Sequence, residues 1–237
     1  MVASSGRGRS SERWRASDSG PAPGARLDGT QSGLLTLTRA VLGLLVRLEA
    51  KGGLQIAGQE NVPREGGLLV CSNHLSNFDT FIYAAAMPRV MHALAKSELY
   101  QNPLLRAFLL RCNCIPVRRG GADRTALRGA LAVLNSGGAL LLFPEGHRAG
   151  SQGLLKFAPG AGFLALRSGA VVLPCALWGT ESVLAPGGVL PRRGRIWLRL
   201  GRPFQPEADE PARVSQEIRG RVAAMLPPRY RGSADPD

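Results

Sequence analysis

"LLVCSNHLSNFD", residues 68–79, decides the fold. Leu68, Leu69, Val70 and Cys71 form an apolar run with no polar position on either face, the pattern of a strand covered on both sides. Ser76 and Asp79 make a capping-box pattern with Asp in place of the usual Glu. It predicts Ser76 as N-cap, Asp79 in the first turn and a helix over Phe78–Ala86. A buried strand feeding a helix through a short loop is the building unit of α/β sheets. His74 lies in that loop, five residues before Asp79. Five is not a helical neighbour spacing, but a loop residue can fold over the first helical turn and meet a side chain there. An Asp accepting from one imidazole nitrogen fixes the tautomer and leaves the other nitrogen as a general base. The spacing also suits a plain capped helix with His74 incidental to it.

The same unit recurs along the chain. Leu68–Ser72, Val90–Ala95, Cys114–Val117, Ala139–Phe143, Val171–Trp178 and Arg195–Leu200 read as strands. Phe78–Ala86, Pro103–Leu110, Asp123–Asn135, Gly160–Arg167 and Pro211–Met225 read as helices. Strands alternating with helices predict an α/β fold, a single domain with a mostly parallel central sheet flanked by helices. Such sheets gather ligands at the carboxyl ends of their strands, so the residues just after each strand carry the interest.

A second such loop is "LLFPEGHRAG", residues 141–150. Glu145 and Arg148 follow a buried strand directly, around a glycine. Charge placed there is costly unless it is paired or used. Arg148 has the planar fork that clamps a phosphate, and Gly146 lets backbone approach a ligand closely. An ordinary polar turn with a surface Glu–Arg pair has the same composition. In "CIPVRRGGADR", Arg118 and Arg119 close another strand, and Arg124 follows. They are candidate phosphate contacts or simply a solvated charge run.

The chain has 237 residues and 44% hydrophobic content, enough for one sizeable core. It carries 30 Lys and Arg against 17 Asp and Glu, net +13, which suits polyanions: nucleic acid, an anionic membrane surface or phosphorylated substrates. The richness in Arg, Ala, Gly and Pro also fits a GC-rich coding bias. Aromatics are only 5%, too few to interleave with the charge as single-strand binders require, and no nucleic-acid motif is present. The four cysteines, Cys71, Cys112, Cys114 and Cys175, show no zinc spacing. They read as small, mostly buried residues in a reducing compartment.

Residues 1–33 read as a disordered basic tail. In "GLLTLTRAVLGLLVRLEA", Thr36, Arg39, Gly43 and Arg47 form one narrow polar stripe, so residues 34–51 read as an N-terminal amphipathic helix with a wide apolar face. Too charged and short to span a bilayer, it either covers the core or lies in a membrane interface. Residues 229–237 read as a fraying end.

His-x4-Asp after a strand, followed farther on by Phe-Pro-Glu-Gly-x-Arg, resembles the glycerolipid acyltransferases, and most closely the bacterial 1-acylglycerol-3-phosphate acyltransferases. The likeness covers residues 34–205. Ile115–Arg119 looks like the family's second motif, and "VVLPCALWGTE", residues 171–181, like its fourth, marked by Pro174. The resemblance implies a glycerol-3-phosphate acyltransferase-like fold, with residues 52–228 as the acyltransferase domain. It implies O-acyl transfer to the sn-2 hydroxyl of 1-acylglycerol 3-phosphate, giving phosphatidic acid in phospholipid biosynthesis. His74 would be the general base and Asp79 its orienting partner. Arg119, Glu145, Gly146 and Arg148 would hold the acceptor's phosphate, Glu145 not by touching the anion but by orienting Arg148 or a ligand hydroxyl, with Arg118, His147 and Lys156 as further candidates. No metal or resident cofactor is implied; acyl-CoA or acyl carrier protein is the co-substrate. The partners are that donor, a lysophospholipid acceptor and a membrane surface, with no nucleic acid. The place implied is the cytoplasmic face of the cell membrane, peripheral or monotopic.

The third motif departs from the family's Phe-Pro-Glu-Gly-Thr-Arg-Ser at His147 and Ala149, and Ala158 stands where a Lys is common, with Lys156 two places early. These differences leave room for another acceptor: a different lysophospholipid, glycerol 3-phosphate or a glycolipid. A lipid-ester hydrolase is the other enzymatic reading of "GTESV", but Ser182 lacks a G-x-S-x-G elbow.

Overall fold

The computed structural model describes residues 53–118, 123–149, 153–183 and 194–232. The expected tail and amphipathic helix over residues 1–51, together with Arg119, lie outside the described residues. The described strands are β1 (Leu54–Ala57), β2 (Leu68–Ser72), β3 (Met91–Lys96), β4 (Cys114–Val117), β5 (Ala139–Leu142), β6 (Val171–Trp178) and β7 (Ile196–Leu200). They form one sheet in the order β1-β7-β6-β2-β5-β3-β4. The expected mostly parallel sheet is present: only the β6–β7 pairing is antiparallel. The strand that opened the sequence reading is its middle strand.

β2 is central because its residues suit no other place. Leu68, Leu69, Val70 and Cys71 are each fully buried. Alternate side chains point to opposite faces, so Leu69 and Cys71 enter one core layer while Leu68 and Val70 enter the other. The helices are α1 (Asp79–Ala86), α2 (Pro103–Arg111), α3 (Arg124–Asn135), α4 (Gly160–Ser168), α5 (Thr180–Val183) and α6 (Pro211–Met225). Buried residues of α3, α4 and α6 fill the first layer, and those of α1 and α2 the second. Each fully buried Leu or Val contributes about 1.5–3 kcal/mol against exposure, so the two layers dominate the fold's stability.

Local sequence explains the helix ends. Asp123 caps α3, its Oδ1 accepting from Thr125 N–H and Ala126 N–H at 3.0 and 3.1 Å. Ala126, Ala130, Val133 and Leu134 then form its buried stripe. Asn102 caps α2, with Pro103 at the first helical position. α1 differs from expectation. Its N-cap is Phe78, so Asp79 is the first helical residue. The Asp79 carboxylate still reaches back to Ser76 N–H at 2.9 Å, but Ser76 Oγ accepts from Phe78 N–H instead of Asp79 N–H. An Asp is one methylene shorter than the usual Glu, and here its carboxylate is held near the loop by His74.

β1 escaped the sequence reading, and the expected fraying after Pro228 is not what Tyr230 does. Its carbonyl accepts from Leu154 N–H at 2.9 Å, and its hydroxyl donates to Glu181 Oε1 at 2.5 Å.

Candidate active site

β6, β2 and β5 are adjacent and parallel, so the loops leaving their carboxyl ends converge. They are Asn73–Phe78 after β2, Phe143–Ala149 after β5, and Gly179–Thr180 after β6. Residues far apart in sequence meet here for that topological reason.

His74 Nδ1 lies 2.8 Å from Asp79 Oδ2. That oxygen also accepts from Leu75 N–H at 2.7 Å and Ser76 N–H at 2.9 Å. Asp79 Oδ1 accepts from the Thr180 hydroxyl at 2.6 Å. Asp79 is fully buried, and four donors compensate its carboxylate. With both oxygens accepting, the neutral imidazole must carry its hydrogen on Nδ1. Nε2 is then the lone-pair nitrogen, with no partner among the described residues. The ring is fixed from its face as well: Phe143 stacks on it with centroids 4.1 Å apart and planes at 15°. The side chain is 12% exposed.

Three further contacts hold the loop. Asn73 is buried, and its side chain pairs with the backbone of Leu177 in β6, donating at 2.7 Å and accepting at 2.9 Å. Tyr83 donates to Ser72 Oγ at 2.6 Å. His74 carbonyl accepts from Ala149 N–H at 2.9 Å, which ties the first loop to the second.

Glu145 is held by backbone and not by the expected partner Arg148. It is 5% exposed. Its Oε1 accepts from His74 N–H at 2.8 Å and its Oε2 from Leu155 N–H at 3.1 Å. Its carboxylate therefore braces the backbone of both loops, and among the described residues it forms no ion pair with Arg148. Burial pushes Glu145 up to about 7, with the charge of Asp79 adding to the rise and the two backbone N–H groups and Arg219 opposing it.

Gly146 has φ of 72° and closes a turn by donating to Phe143 carbonyl at 3.1 Å; that left-handed backbone is what calls for glycine. His147 and Arg148 are exposed on the turn, and Lys156 is exposed on the segment that follows. Ala149 is buried in the core, so a methyl fills the position where the family's serine would stand. Arg118 is 79% exposed with its guanidinium 3.8 Å from Asp123. It follows β4, three places from β2 and roughly 14 Å away at about 4.8 Å per strand, so it belongs to the rim. The structure thus brings His74, Asp79 and Glu145 together and sets Gly146, His147 and Arg148 on the adjoining turn. Thr180, Asn73 and Phe143 were missed as site residues. Looking just after β6 as just after β2 would have found Thr180.

Burial raises the thiols of all four cysteines, which removes them as thiolate nucleophiles at neutral pH. Among the described residues, no group of three His, Cys, Asp or Glu side chains is placed to hold a metal ion.

A family model described as Acyltransferase matches residues 53–178. The 1-acyl-sn-glycerol-3-phosphate acyltransferase of Bacillus subtilis (strain 168) is 30% identical over 183 residues, covering 77% of this chain and 87% of the relative. A protein of the same name from Borreliella burgdorferi is 30% identical over 131 residues, 54% of this chain and 52% of the relative. The crystal structure of the 1-acyl-sn-glycerophosphate (LPA) acyltransferase PlsC from Thermotoga maritima shares the fold. Its TM-score is 0.70 at 23% identity, over 81% of this chain and 78% of that one.

Proposed function

The chain belongs to the acyltransferase family, and on that premise we propose that it acylates the free sn-2 hydroxyl of 1-acylglycerol 3-phosphate, forming phosphatidic acid. The observation that carries the chemistry is the His74–Asp79 pair, 2.8 Å apart, with Nε2 left as a base. The names of the relatives support the acceptor.

His74 Nε2 takes the hydroxyl proton as the acceptor oxygen attacks the thioester carbonyl carbon. Asp79 stabilises the imidazolium that forms. The tetrahedral oxyanion needs hydrogen-bond donors. The backbone N–H groups of His147 and Arg148, which have no partner among the described residues, are donors this turn can supply. The intermediate collapses with cleavage of the C–S bond, and His74 returns the proton to the departing thiolate. Attack is direct, so no side-chain nucleophile, metal or resident cofactor is required.

Arg148 binds the acceptor's phosphate, aided by His147 and the Gly146 turn, with Arg118 and Lys156 on the rim and Arg119 as a further phosphate contact expected from the family's second motif. Glu145 is a positioning residue: it holds the backbone N–H of His74 and does not touch the phosphate. Thr180 positions Asp79 in the same sense. The catalytic unit runs over residues 52–228. Among the described residues, no helix is long and apolar enough to cross a membrane. The enzyme works at the cytoplasmic face of the cell membrane, held peripherally, and residues 34–51 contribute an interfacial helix.

A second acceptor class is favoured by one observation. His147 and the buried Ala149 remove two hydroxyls that the family's motif offers to a phosphate, so a different lysophospholipid, glycerol 3-phosphate or a glycolipid is the competing acceptor. Thiol release should be measured with palmitoyl-CoA and with palmitoyl-acyl carrier protein, each against 1-acylglycerol 3-phosphate and these alternatives. Preference for 1-acylglycerol 3-phosphate supports the proposal, and the better donor identifies the co-substrate. Preference for another acceptor replaces it. Thiol release without any acceptor would mean hydrolysis.

A further inference from the structure

An apolar ridge on α2 has no part in the chemistry above. Leu104 is 84% exposed, and Phe108 and Leu99 are each 39% exposed. Leu104 and Phe108 lie four residues apart, on one face of α2. Leu99 sits on the 3-10 turn Ser97–Gln101 that packs against that helix. One exposed leucine is ordinary. This ridge, however, leads somewhere: the Phe108 ring meets Phe81 with centroids 6.2 Å apart, and Phe81 meets Phe78 at 6.1 Å. Phe78 directly precedes Asp79. Apolar side chains therefore run in sequence from the open surface to the His–Asp pair.

Basic side chains stand at the end of the sheet from which the ridge starts. Lys96 ends β3, Arg118 follows the adjacent β4, and Arg124 opens α3. All three are exposed at the carboxyl end of the sheet, the end on which the site lies. The Arg118 guanidinium lies 3.8 Å from Asp123 Oδ2, which also accepts from Arg118 N–H at 2.9 Å.

We propose that this face seats on an anionic lipid bilayer, with Leu99, Leu104 and Phe108 entering the boundary between headgroups and acyl chains and Lys96 and Arg118, at the carboxyl ends of β3 and β4, meeting lipid phosphates. The proposal rests on the acyl-transfer reading in one respect: an acceptor that stays in the bilayer must reach His74 without crossing water. Apolar residues that insert beside basic ones that pair with headgroups are the physics of interfacial attachment. The run Phe108–Phe81–Phe78 supplies an apolar path from that interface to the site. A segment of the same chain, such as residues 34–51, or a second copy would cover apolar surface but would leave Lys96 and Arg118 unmatched.

The test is co-sedimentation of the full chain with vesicles of phosphatidylglycerol and phosphatidylcholine in equal parts. Leu104 is the side chain to change, because its exposure makes it tolerant of charge. Leu104→Glu should lower partitioning by about tenfold, and Leu104→Trp, an interfacial residue type, should raise it. Acylation of a vesicle-borne acceptor should fall with partitioning in Leu104→Glu, while acylation of a short-chain acceptor present as monomers stays unchanged. Unchanged partitioning in both variants overturns the proposal, as does a wild type that ignores vesicles. A fall in thermal stability with unchanged partitioning would mean the chain itself covers the ridge. A change in the sedimentation of lipid-free protein would mean a second copy does; either result overturns the proposal. Equal loss on monomeric and vesicle-borne acceptors would place the effect in the site and overturn it too. If wild type acylates nothing, the acyl-transfer reading fails, and partitioning still decides the docking face.

Discussion

Replacing Glu145 with Gln tests how the two loops are held. The carboxyl group's ordinary value of 4.5 rises to about 7 in the fold, chiefly through burial. Between those values the folded chain keeps a proton that the unfolded chain has released. Its unfolding free energy therefore falls as pH rises through this window. The contribution is fully present below 4.5 and lost once pH passes about 7. At about 1.4 kcal/mol for each pH unit, the loss is roughly 3 kcal/mol. Other groups also change charge with pH, among them the half-buried His92, which burial lowers. Their contributions cancel when wild type is compared with Glu145→Gln, which cannot titrate. Urea unfolding of both proteins at several values between pH 4.5 and 8 gives the difference directly. That difference should shift against wild type by roughly 3 kcal/mol as pH rises. A flat difference, or one moving in wild type's favour, would refute burial as the controlling effect at Glu145.

Three more expectations follow from named contacts. Thr180→Val keeps the shape but leaves Asp79 Oδ1 buried without its donor, costing about 1–3 kcal/mol of stability and about tenfold in kcat/KM. Thr180→Ser should restore both, and a valine variant with wild-type kinetics would remove Thr180 from the positioning of Asp79. Asn73→Ala strips two hydrogen bonds from the buried backbone of Leu177. It should cost about 2 kcal/mol or more, read as a Tm lower by roughly 5 °C; an unchanged Tm contradicts it. Arg148→Ala should raise KM for 1-acylglycerol 3-phosphate by about tenfold, with a smaller effect on an acceptor that lacks phosphate. Equal effects on both would show that Arg148 does not read the phosphate.

Strong local patterns made most of the sheet readable. β2, β4 and β6 have the limits that their apolar runs predict, and α6 runs over Pro211–Met225 as expected. β1 was not legible because "LQIA" is only four residues long and interrupted by Gln55, and its pairing with β7 comes from sequence more than a hundred residues away. The His74–Asp79 approach was legible because loop and helix are local. The capping detail was not: the carboxylate chooses His74, Leu75, Ser76 and Thr180 together, and Thr180 is 101 residues distant. Glu145 shows the same limit. Sequence shows a charge after a buried strand, but only the fold shows that its two oxygens hold the backbone N–H groups of His74 and Leu155. Phe143 looked like the end of a strand and is the plate on which the imidazole rests.

Acceptor-dependent thiol release by wild type and His74→Ala tests the central assignment most directly. It should be run with whichever donor and acceptor the wild type prefers, on proteins shown to unfold at the same temperature. Loss of about 100-fold or more in the variant, the usual scale for a general base, is the result expected of proton transfer through Nε2. A His74→Ala enzyme that keeps its full rate would contradict it.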